Sequence, residues 1–121
     1  MPIPTIKYDA LSDTLYISFA PGESATGLEL NPHILLRVDK VKRAAIGLTF
    51  FEYSLLAQPT ELGPRSFPLT GLNELSTELR TLAVELLTHL PVSDILHLSA
   101  YTPSAFEVIP ITSLTPLTIA T

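Results

Sequence analysis

Cysteine is missing from all 121 residues. That excludes disulfides, thiolate nucleophiles and cysteine metal sites, and it fits a reducing compartment. Charge is scarce, at 16% of residues. Low charge combined with 46% hydrophobic residues and a mean hydropathy of +0.37 argues against disorder, which needs the opposite balance. No apolar stretch approaches the ~20 residues of a membrane-spanning helix. Met1-Pro2-Ile3-Pro4 lacks the basic patch and apolar run of a signal peptide, so the expected address is cytoplasmic, with no membrane partner.

Basic residues are few. The net charge of −5 is concentrated after Ser66, where Arg80 stands against Glu74, Glu78, Glu85, Asp94 and Glu107. Sequence-independent nucleic-acid binding needs many phosphate-contacting Lys and Arg. Only Lys40, Lys42 and Arg43 cluster here, as at a solvated hairpin tip. Nucleic acid is therefore not an expected partner.

What is present reads as α+β, in one domain over residues 1–121. Ile6 and Tyr8, then Leu15, Ile17 and Phe19, alternate with polar neighbours, the period of two that a half-buried strand requires. Asp9-Ala10-Leu11-Ser12-Asp13 makes the turn between them. Ala20-Pro21-Gly22-Glu23-Ser24 breaks the chain, and further strands follow at about 26–30, 34–38 and 44–52. Gly47 inside the last marks a bulge or a close backbone contact. The short connections predict a five-stranded antiparallel meander.

The Pro- and Gly-rich stretch 58–69 reads as a connector. Thr70 then caps one long amphipathic helix over 70–90, in which Leu72, Leu75, Leu79, Leu82, Leu86 and Leu90 fall at helical spacings and Pro91 ends it. A C-terminal hairpin is expected over 94–112, with Pro110 confining its second strand to an edge. The helix is expected to pack on the meander, and the hairpin to join or swap onto the same sheet. Apolar residues exceed what one core needs, so a homodimer is expected, with a further protein partner left open.

The run Ile6-Lys7-Tyr8-Asp9-Ala10-Leu11-Ser12-Asp13-Thr14-Leu15-Tyr16-Ile17 resembles the opening hairpin of a family of small bacterial proteins, Domain of Unknown Function twenty-two eighty-three. His33-Ile34-Leu35-Leu36-Arg37-Val38-Asp39, Ala45-Ile46-Gly47-Leu48 and the closing Glu52-Tyr53-Ser54 continue the likeness, which covers residues 5–56. It implies a compact β-meander and no established activity.

Tyr8, Asp9, Asp13 and Tyr16 form the most patterned polar group. Asp9 and Asp13 have two readings: a carboxylate pair for a metal ion or acid–base work, or turn residues bonded to backbone N–H groups. His33, His89 and His97 match no zinc spacing, so neither a metal nor a cofactor is expected. There is no P-loop, nucleophile elbow or His-Glu-x-x-His. The leading functional reading is a non-catalytic binding or assembly module. Its alternatives are a small metal-dependent or acid–base enzyme and a regulatory partner acting through the acidic C-terminal half.

Overall fold

The computed structural model describes residues 4–20 and 25–115; the expected break at Pro21-Gly22 lies outside them. Strands β1 (Thr5–Asp9) and β2 (Thr14–Ser18) form the first hairpin, with Tyr8 opposite Leu15 and Ile6 opposite Ile17. Strands β3 (Thr26–Asn31), β4 (Ile34–Asp39) and β5 (Ala44–Phe51) then run as an antiparallel meander.

The five strands are not one continuous meander. Their order is β1-β2-β5-β4-β3, so β5 returns between the two hairpins. The reason lies in its side chains: Ile46, Leu48 and Phe50 are buried, and so are Gly47 and Thr49 between them. A strand covered on both faces belongs at the centre of a sheet. Phe50 sits opposite Leu15 on one side and Ile34 on the other; Leu48 sits opposite Ile17 and Leu36. One apolar rank thus crosses the sheet. Gly47 is where the expected close contact occurs: a Cβ there would lie 2.5 Å from the Ile17 carbonyl oxygen, beside an irregularity in the β4–β5 register.

The long helix is corrected by the structure. Residues Thr70–Glu74 form a 3-10 turn, Leu75 is extended, and the α-helix following the short α1 (Tyr53–Ala57) is α2, Thr77–Leu87. Helical content is therefore small. Ser76, not Thr70, is the N-cap, its side chain accepting from the Leu79 N–H and satisfying a donor the helix itself cannot. Gly71 lies against β3, where a Cβ would fall 1.9 Å from the Glu29 carbonyl oxygen. That contact covers the β3 edge. At the other end, the Thr88 hydroxyl bonds back to the Val84 and Glu85 carbonyls, and the helix stops before Pro91 is reached. Leu72, Leu82 and Leu87 are buried, Leu79 and Leu86 are half-buried, and Leu90 is 58% exposed. All of these leucines except Leu90 still join the apolar cluster that includes Leu15, Leu36 and Phe50, but from separate short elements.

The C-terminal hairpin, β7 (Leu96–Ser104) and β8 (Glu107–Leu114), does not extend the first sheet. It pairs with β6 (Ser66–Pro68), inside the expected connector, as a second sheet ordered β6-β8-β7. Pro110 therefore lies on a central strand, not an edge. Its C=O accepts from Leu69 N–H on the β6 side. A strand residue turns both backbone groups the same way, so the missing N–H points just past the last paired residue of β6, Pro68.

Candidate functional site

Asp13 closes the β1–β2 turn with a left-handed backbone, φ 52°, a conformation Asp tolerates better than most residues. From there its side chain reaches the start of α1. Its Oδ2 accepts from the Ser54 hydroxyl at 2.5 Å, and its two oxygens accept from the Ser54 N–H at 3.1 and 3.2 Å. The Asp13 carbonyl accepts from the Tyr53 N–H at 2.9 Å. Tyr8 donates its phenol to Asp13 Oδ1 at 2.6 Å and packs edge-to-face on Tyr53. Asp13 thus supplies the acceptors that the first turn of a helix lacks.

These bonds set the electrostatics. Hydrogen bonds from Ser54, then from Tyr8, hold the Asp13 carboxyl below its ordinary value despite an opposing loss of hydration. The Tyr8 phenol is pushed above its ordinary value, first by its hydrogen bond to Asp13, then by lost hydration and by negative charge at Asp13 and Asp9. A carboxylate fully engaged by donors is a weak base, and this one acts as a clasp between hairpin and helix.

Asp9 and Tyr16 take no part in the hydrogen bonds around Asp13. Asp9 Oδ1 accepts from the Leu11 N–H at 3.1 Å within its own turn. Tyr16 pairs with Lys7 on the sheet face opposite Leu15, and is 43% exposed. A depression of about 660 Å³ along β1 is lined by Lys7, Tyr8, Asp9, Leu11 and Tyr16. His33 lies 3.6 Å from Glu52, His89 bonds the Glu85 carbonyl and His97 bonds Thr115. Among the described residues no three His, Asp or Glu side chains gather as a metal site, and no helix is long and apolar enough to cross a membrane.

Residues 5–50 match the family model described as a protein of unknown function, DUF2283. The DUF2283 match spans β1 through Phe50, which is the first sheet short of its last residue, Phe51. It ends before Tyr53 and Ser54, and the second sheet lies wholly outside it. No curated protein and no solved structure matches the chain.

One surface was not marked by the sequence reading. Every residue from Ser99 to Val108 is exposed, so the outer half of the β7–β8 hairpin stands away from the body. Phe106 is 100%, Val108 66% and Tyr101 57% exposed. The available signal was an uncharged run, Ile95 to Phe106, with no Asp, Glu, Lys or Arg in a chain of net charge −5.

Proposed function

We propose that this chain is a non-catalytic assembly module that works as a homodimer, with the β7–β8 hairpin as its contact surface. The observation that supports this is the protruding hairpin: two exposed aromatics, Tyr101 and Phe106, on the uncharged run Ile95 to Phe106, with Val108 exposed just beyond the hairpin's single charged residue, Glu107. Acidic chains repel one another, and that repulsion is least where a surface carries no charge. Exposed apolar patches on otherwise polar proteins commonly mark contact sites. The Asp13 carboxylate, engaged by Ser54 and Tyr8, does not favour the enzyme reading. The expected cytoplasmic address is kept in this reading.

Sedimentation equilibrium of the full chain at micromolar concentration is the test. The expected result is a mass twice that of the chain, falling to one chain in a Tyr101→Ser/Phe106→Ser/Val108→Ser variant whose circular dichroism is unchanged. A strict monomer would overturn the reading.

A further inference from the structure

Sheet edges are hazardous unless blunted by charge, proline, brevity or cover. Among the described residues, three of the four sheet edges are blunted. β1 carries Lys7 and Asp9, β6 has three residues ending in Pro68, and β3 is covered at Gly71. β7 is nine residues long, without Asp, Glu, Lys or Arg. Pro103 and the irregular register beyond Tyr101 confine its open stretch to Leu96–Tyr101.

The pairing pattern identifies the open backbone groups. The Ile95 carbonyl accepts from Thr115 N–H on the β8 side. Alternate residues turn the same way, so His97, Ser99 and Tyr101 face β8, while Leu96, Leu98 and Ala100 turn their N–H and C=O outward. Among the described residues no backbone bond from another element reaches those three. Beside the same edge lies a cleft of about 320 Å³ lined by Leu87, Thr88, Ser93, Leu96, His97 and Leu98.

We infer that β7 pairs antiparallel with β7 of a second copy about a twofold axis at Ser99, and that each Phe106 seats in the other copy's cleft between α2 and β7. This inference rests on the assembly reading above and specifies its geometry. In this register Leu98 and Ala100 exchange backbone hydrogen bonds with Ala100 and Leu98 of the second copy. Tyr101 lies opposite the second copy's His97, giving a cross-strand ring pair. The hairpin tip, about five to seven residues or roughly 17–24 Å beyond Ser99, arrives at residues 92–94 of the other chain, beside the cleft. A stable interface covers about 800 Å² per partner. Two aromatics at roughly 150–250 Å² each supply about a third or more of that. The absence of charge on the edge favours a second acidic copy over a charged partner.

The chain contains no cysteine, so one introduced thiol reports cleanly. At a twofold axis Ser99 faces itself in a non-hydrogen-bonded pair, with Cα atoms about 4.5 Å apart, within disulfide reach. Under mild oxidation S99C is expected to become a covalent dimer, while K40C, at the exposed β4–β5 turn, remains monomeric on denaturing gels. F106S is expected to weaken dimerisation at least about tenfold without loss of fold, since Phe106 is fully exposed in the single chain. A dimer by sedimentation in which S99C cross-links no better than K40C overturns the twofold pairing and leaves the assembly reading standing. A strict monomer removes both.

Discussion

The Asp13 carboxylate holds Ser54 by both its backbone N–H and its hydroxyl, across 41 residues of sequence. This joins the turn of the first hairpin to the helix that follows the last strand of the same sheet. Asparagine keeps the tolerance for a left-handed backbone but loses the charge. Asp13→Asn and Ser54→Ala are each expected to cost about 1 kcal/mol in denaturant unfolding, with little added cost when combined, because they remove the same interaction.

The pH dependence follows from the same bonds. Asp13 is held below its ordinary 3.8, so the unfolded chain binds the proton more readily. The contribution to stability is whole above that value and is lost as pH falls through the lower, folded one. Tyr8 is raised above its ordinary 10.0; its contribution is whole below that value and is lost as pH rises through the folded one. Stability measured against pH should therefore fall at both ends. Asp13→Asn should flatten both limbs, and Tyr8→Phe should flatten the alkaline one. An unchanged acid limb in Asp13→Asn would contradict the clasp.

The helix boundary has its own test. Ser76→Ala is expected to cost about 1 kcal/mol by removing the cap, and Thr70→Ala close to nothing. Leu82→Ala, at a buried position, should cost about 2–5 kcal/mol, whereas Leu90→Ala should be nearly neutral. Equal costs at Ser76 and Thr70 would favour a helix starting earlier.

Glycines separate backbone contact from open space. Gly71→Ala would drive a methyl into the Glu29 backbone, where nothing flexible can yield. A loss of about 3 kcal/mol or more is expected, at the upper end of overpacking costs. Gly27→Ala meets only the Leu35 side chain at 3.2 Å, which can turn aside, so thermal unfolding should barely change.

Strand positions in the first half were legible because period-two alternation at Leu15, Ile17, Leu36 and Leu48 records a buried face. Strand order was not, since alternation says which face is covered and not which strand lies alongside. Burial of β5 on both faces decided that. The helix was read too long because Leu72 and Leu75 continue the leucine spacing, while the contact that interrupts it, Gly71 on Glu29, is tertiary. β6 was missed because three residues ending in proline carry no period. Asp13 was singled out as a turn residue or an acid. Its partner Ser54, 41 positions away, had no local signal as a capped residue. The uncharged run from Ile95 to Phe106 is visible as composition only; its protrusion needs coordinates.

Backbone amide exchange at Leu98 and Ala100 tests the assembly account most directly, because those groups face outward in the single chain and inward in the proposed pair. The account predicts exchange that slows markedly as protein concentration rises through the dimerisation range and stays fast in F106S. Amides at these two positions that exchange at the same rate in dilute and concentrated solution would contradict it.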